Sequence, residues 1–296
     1  MLAGLTEIVE KLPQFQLLRN QLDGESSKVS ILESATPALL GALWKGLKTP
    51  MLIVAQRPEV ANRLFDQLLT YLGEDSPIYK FPELEVLPFE HLAVDRSTVH
   101  QRLRVLATLA DPLSGTSPIV ITSATGLAVK TPKPEELLAN SVTIEQGQTV
   151  SMEALLRQWQ LMGYVNERAT EIPGQMSRRG GILDIFPAGD HSPTRLEFFG
   201  NTVESIRLFD VGTQRSLKEI RQITVIPAKE QIHNAEGLGQ DEKLISRLDF
   251  SNCPREAQER IKEEISLILS GHQVENEAVY SGLFNQASLF DFFPSD

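Results

Sequence analysis

The spacing of apolar residues divides this chain into stretches of different rhythm. In the first, short apolar runs alternate with segments of helical period. Lys28-Val29-Ser30-Ile31-Leu32-Glu33 reads as a strand, and Pro37 to Leu47 as a helix with proline in its first turn and a base near its end. Met51–Ala55 is apolar throughout, the pattern of a parallel strand covered on both faces. Between Glu59 and Leu72, residues Val60, Leu64, Leu68 and Leu72 share one helical face, and Gly73 supplies a stop. Pro77–Lys80 predicts another strand, Thr98–Leu109 another helix, and Pro118–Ser123 a further buried strand. Such alternation predicts a parallel sheet with helices on its faces.

The Thr131-Pro132-Lys133-Pro134 segment marks a boundary, and the period shortens beyond it. Ser151 is placed to cap a helix that runs to Met162 and stops at Gly163. Hairpin material follows: Tyr164–Thr170, a Pro173-Gly174 turn, then Ile182–Phe186, Thr194–Phe199 and Thr202–Phe209. Gly200-Asn201 between the last two is a two-residue turn, and Ile220–Ile226 is a final strand. From Lys229 the chain is acidic and loop-rich. Ile261, Ile265, Ile268 and Leu269 then form a helical stripe between Pro254 and Ser270, with Gly271 as its cap. The end, Ser288–Pro294, is apolar enough to pack on something. The expected fold class is α/β in three parts. Residues 1–135 form a parallel-sheet domain, 136–228 an α+β hairpin-rich domain, and 229–296 a small C-terminal domain.

Composition narrows the function. The 296 residues carry a net charge of -11, which opposes tight sequence-independent binding to DNA. Residues 141–228 nonetheless hold nine basic residues, eight of them arginine. Arginine presents a planar fork of donors and is enriched at protein interfaces, although a solvated face can use it too. The lone Cys253 excludes an internal disulfide framework. No apolar run approaches the roughly 20 residues of a membrane helix, and the N-terminus has no basic leader, so a cytoplasmic location is expected.

Catalytic patterns are missing where they would be needed. The turn Ser34-Ala35-Thr36-Pro37-Ala38-Leu39-Leu40-Gly41 holds one glycine, Pro37 removes a donor, and Lys45 lies within the helix. A phosphate-cradling G-x-x-x-x-G-K-[ST] loop cannot be built from it. His91, His100, His191, His233 and His272 show no zinc-ligand spacing, and no G-x-S-x-G elbow occurs. The carboxylates of Phe81–Glu90 alternate as on a solvated strand. No cofactor, metal or catalytic residue is expected.

One stretch stands apart: Ser177-Arg178-Arg179-Gly180-Gly181-Ile182-Leu183-Asp184-Ile185-Phe186-Pro187. In one reading the glycines make a turn or bulge into a hairpin and the arginines are exposed bystanders. In the other they hold the backbone so that Arg178 and Arg179 project together from an edge, with Arg168 beside them on a hairpin-paired strand, as anchors for an acidic partner. The residues alone leave both open.

With Pro173-Gly174 upstream and Glu197-Phe198-Phe199-Gly200, Glu204-Ser205-Ile206-Arg207, Phe209-Asp210 and Thr213–Leu217 downstream, this stretch resembles the UvrB-like module of the transcription-repair coupling factor (Mfd) family. Leu87-Pro88-Phe89, Arg102-Leu103 and Leu289-Phe290-Asp291-Phe292 extend the resemblance over essentially the whole chain. It is specific in residues 173–217 and weak before residue 80. In that family the phosphate loop of the related UvrB is lost, and Ser34–Gly41 agrees.

The resemblance implies a degenerate helicase-type domain, a UvrA-docking domain and a small inserted domain. It also implies that these residues are the N-terminal part of a longer protein. The implied function is an adaptor, not an enzyme, that binds UvrA and recruits nucleotide excision repair to lesion-stalled RNA polymerase. RNA polymerase itself would be reached only through domains outside this chain. The implied contact residues are Arg179 first, then Arg178 and Arg168. Phe186 is open between interface and core. The alternative is a non-catalytic DNA-binding module, making weak or indirect contact. A monomer is expected.

Overall fold

The computed structural model describes residues 3–22, 26–84, 95–110, 117–231, 244–270, 272, 274 and 277–293. They fall into mixed α/β architecture in two compact units, residues 1–83 with 111–128 and residues 84–110 with 129–296.

In the first unit three parallel strands, β1 (Met51–Ala55), β2 (Ile78–Phe81) and β3 (Ile119–Ser123), lie in the order β1-β3-β2. The central strand β3 pairs Ile119 with both Met51 and Ile78 and is buried along its whole length. Burial on both faces requires apolar side chains at successive positions, which Ile119-Val120-Ile121 provide. The Thr122 hydroxyl is satisfied by donating to the Phe81 carbonyl at 2.8 Å. β1 is an edge strand with Val54 44% exposed, so the double coverage expected of it belongs to β3 instead.

Helices α3 (Thr36–Leu47) and α4 (Pro58–Leu72) each carry proline in the first turn, where its missing N–H has no helical partner to lose. Leu68 of α4 joins Ala55, Ile78, Ile119 and Ile121 in one core, with Trp44 and Phe65 against it. A second cluster seats Phe15, from α2 (Pro13–Gln21), on Ala42 and Leu43, with Val9 from α1 (Ala3–Glu10) packed alongside. The strand expected over Lys28–Glu33 is not formed. Val29, Ile31 and Leu32 remain exposed, because a strand needs a neighbour for its N–H and C=O groups and none pairs with this segment among the described residues.

The second unit is built on a six-stranded sheet. Its strands are β5 (Val165–Asn166), β6 (Gln175–Arg179), β7 (Ile182–Ile185), β8 (Thr194–Phe199), β9 (Thr202–Phe209) and β10 (Ser216–Ile220), in the order β10-β9-β8-β7-β6-β5. A separate antiparallel pair joins β4 (Val142–Glu145) to β11 (Gln222–Val225). Helix α6 (Met152–Leu161) starts where Ser151 Oγ accepts the Ala154 N–H at 3.4 Å. It buries Leu155 and Trp159 with Met176, Leu183, Ile185, Leu196 and Ile206 of the sheet.

Three expectations change in this unit. The Tyr164–Thr170 strand contracts to Val165–Asn166 and pairs parallel to β6, so it is no hairpin arm. Ile220–Ile226 divides at Arg221 between two sheets. The strand Val142–Glu145 was not expected at all.

Helix α5 (Arg96–Ala110) belongs to this unit, and its Arg102 is wholly buried. Arg102 donates to Glu230 from Nε at 2.6 Å and from Nη2 at 3.0 Å, a two-pronged pair with Glu230 itself 2% exposed. His100, one half-turn earlier, packs against Gly174, and burial pushes its imidazole down to about 4. Further along, the helix Arg255–Leu269 buries Ile265 and Ile268, and the terminal turn Leu289–Phe292 buries Leu289 and Phe292. The proposed cap Gly271 and residues 85–90 of the acidic segment lie outside the described residues. No helix among the described residues is long and apolar enough to cross a membrane.

Candidate functional site

The Arg178-Arg179-Gly180-Gly181 stretch forms the end of a hairpin. β6 and β7 are antiparallel, with Ser177 opposite Asp184, Arg178 opposite Leu183 and Arg179 opposite Ile182. Gly180 takes φ +60° and Gly181 a negative value, the pattern of a two-residue turn with glycine at its first central position. The neighbouring β8–β9 turn repeats it with Gly200 at φ +60° before Asn201. The Phe198 N–H donates to the Gly181 carbonyl at 2.8 Å, which ties the first turn to the second.

Residues opposite one another share a face of the sheet, and neighbours along a strand point to opposite faces. Arg178 and Arg179 therefore diverge rather than projecting together. Arg178 emerges at the margin of the face that α6 covers, where it meets Glu153 at 3.4 Å. Arg179 stands on the opposite face, half-exposed, and donates from Nη2 to Asp184 Oδ2 at 2.6 Å. Arg168 lies in a bend past the end of β5. It shares a shallow depression with Asn166, Glu167 and Arg178. Phe186 follows β7 and is 6% exposed, packed inside rather than presented.

The face that carries Arg179 is polar and ordered. Asp184, 1% exposed, also accepts from Arg195 Nε at 2.7 Å and Arg195 Nη2 at 2.9 Å, so one buried carboxylate aligns two guanidinium groups. These hydrogen bonds hold the Arg195 guanidinium above even its usual high pKa. Arg195 also stacks 4.5 Å over the Phe209 ring and reaches Gln214 Oε1 at 3.2 Å. Opposite Arg195 stands Arg207, 3.6 Å from Glu197, which in turn accepts from Ser205 Oγ at 2.7 Å. At the open end, beside both glycine turns, Phe199 is 79% exposed on the same face.

The face thus offers arginine donors held in place by an internal carboxylate, next to an aromatic ring open to solvent. Arginine is a leading hot-spot residue, and phenylalanine is enriched at protein interfaces. Sequence reading found Arg179 but missed Asp184, Arg195 and Phe199. Cross-strand parity was the available signal, since Arg195, Glu197 and Phe199 alternate with Leu196 and Phe198 along β8.

Comparison with known proteins supplies a context for this face. A family model described as the UvrB interaction domain matches residues 142–231, which span β4 through β11. The transcription-repair-coupling factor of Myxococcus xanthus is 31% identical over 230 residues, covering 76% of this chain and 18% of the relative. That of Bacillus subtilis (strain 168) is 30% identical over 199 residues, covering 67% and 17%. That of Escherichia coli (strain K12) is 29% identical over 181 residues, covering 61% and 15%. The chain spans less than a fifth of the length of these relatives.

Proposed function

We propose, on the premise that this chain belongs to the transcription-repair-coupling factor (Mfd) family and carries its UvrB-like module, that it is a docking adaptor for UvrA. In this role it recruits nucleotide excision repair to RNA polymerase stalled at a lesion, with no chemistry of its own. Polymerase contact and DNA translocation belong to other parts of a longer protein. The observation that carries the reading is the Arg179–Asp184–Arg195 cluster beside exposed Phe199, within the region that the UvrB interaction model matches.

Binding follows from the geometry in three steps. Asp184 fixes the Arg179 guanidinium before the partner arrives, which lowers the ordering entropy lost on association. The remaining Arg179 donors face solvent and suit a carboxylate of UvrA. Phe199 adds apolar area at the rim of that contact, and burying such a ring excludes water from the arginine hydrogen bonds. Arg178 and Arg168, on the other side of the hairpin, make the secondary contact of this proposal. Phe186 supports the hairpin from within.

Calorimetric titration of purified UvrA into the chain tests this. Arg179→Ala is expected to cost about 2 kcal/mol of binding, well over tenfold in affinity. Phe199→Ala is expected to weaken binding by roughly tenfold. It should leave the thermal midpoint within about 1 °C of wild type, because an exposed ring contributes little to folding. Wild-type affinity in both variants would refute the docking face.

A further inference from the structure

The first unit carries a groove of about 580 Å³ at the end of α3 remote from Ser34–Gly41. It is lined by Lys11, Arg19, Lys45 and Lys48, with Glu7, Glu10 and buried Phe15. We propose that this groove binds the phosphates of a nucleotide, free or within a single strand.

Four features carry the assignment. None of the four cations forms an ion pair with a carboxylate among the described residues. Lys45 is nonetheless positioned, donating from Nζ to Oγ1 of the wholly buried Thr6 at 3.0 Å. Arg19 lies alongside, its guanidinium passing close to Gly46. Lys48 sits at φ +56°, a left-handed conformation that lysine rarely adopts and glycine takes freely. The Ser117 hydroxyl donates to its carbonyl at 2.7 Å, and its own N–H donates to the Trp44 carbonyl at 3.2 Å, which hold it there. A strained lysine where glycine would be relaxed places one more charge at the groove, and such outliers cluster at binding sites.

The groove holds four cations against two carboxylates, and a bound anion would offset the excess positive charge. A phosphate chain supplies several charged oxygens in the space, and the Arg19 fork suits it. Glu7 and Glu10 can accept from sugar hydroxyl or base amino groups, which a bare inorganic anion lacks. The volume is within the range of small-ligand clefts.

The test uses the whole chain. ADP is titrated by calorimetry, and a fluorescein-labelled single-stranded oligonucleotide by anisotropy, each at 50 and 200 mM salt, against wild type, Lys48→Gly and Lys45→Ala/Lys48→Gly. At least one probe is expected to bind saturably, more tightly at low salt, and about tenfold more weakly in the double variant. Lys48→Gly alone should weaken binding while raising Tm by about 2 °C, since it relieves the backbone. Binding of ADP alone identifies a free nucleotide as the source of the phosphate, and binding of the oligonucleotide alone a strand. No saturable binding of either probe, or equal affinity in the double variant, would overturn the proposal.

Discussion

Glu230→Ala is expected to destabilise the second unit by about 3–5 kcal/mol, the largest single effect we anticipate. The substitution leaves Arg102, wholly buried on α5, without the carboxylate that now meets it through two hydrogen bonds. A charge in that position has lost its hydration on folding, and the paired geometry with Glu230 offsets part of the loss. The thermal midpoint should therefore fall by roughly 6–20 °C, at the 2–4 °C per kcal/mol usual for units of this size. The double replacement Arg102→Met/Glu230→Leu should recover most of that fall, because removing both charges also removes the cost of burying them. A Tm for Glu230→Ala close to wild type would mean that water reaches the pair and that its burial matters little.

Asp184→Ala is expected to act on folding and on docking at once. Asp184 accepts from Arg179 and twice from Arg195 while nearly inaccessible to solvent. Its removal leaves the mostly buried Arg195 without the carboxylate that accepts two of its hydrogen bonds, at about 3 kcal/mol. It also releases Arg179 from the orientation we propose for contact, so UvrA affinity should fall about as far as in Arg179→Ala. Asp184→Asn retains a hydrogen-bonding oxygen and should lie between. Melting curves and calorimetry on the same samples separate the two effects. Loss of stability with unchanged affinity would show that Arg179 needs no anchor.

The elements legible in the sequence were those whose own residues decide them. Ile119–Ser123 is apolar enough to be a central strand anywhere, and the Ser151 cap acts within a single turn. Segments that depend on a distant neighbour were harder. Val29 and Ile31 alternate like a strand, but alternation cannot supply a pairing partner. Val142-Thr143-Ile144-Glu145 alternates equally well and does become a strand, because Gln222–Val225 returns to meet it.

The site divides in the same way. Gly180 announces a turn and Arg179 an exposed end. Asp184, enclosed by Leu183 and Ile185, looks like one more core-strand residue until Arg195 is placed opposite it. The divergence of Arg178 from Arg179 required only strand parity. The exposure of Phe199 required knowing that the described residues leave that corner of the face uncovered.

The pairing of Arg102 with Glu230 also bears on how the chain is made. The partners are 128 residues apart in sequence. At ribosomal elongation rates, on the order of ten seconds separates their appearance at the ribosome. Throughout that interval the nascent α5 carries Arg102 before Glu230 has been synthesised. A fragment cut at residues 136 and 228 would leave both partners behind, so isolation of the hairpin domain for biophysical work should keep residues 96–110 and 229–231 with it.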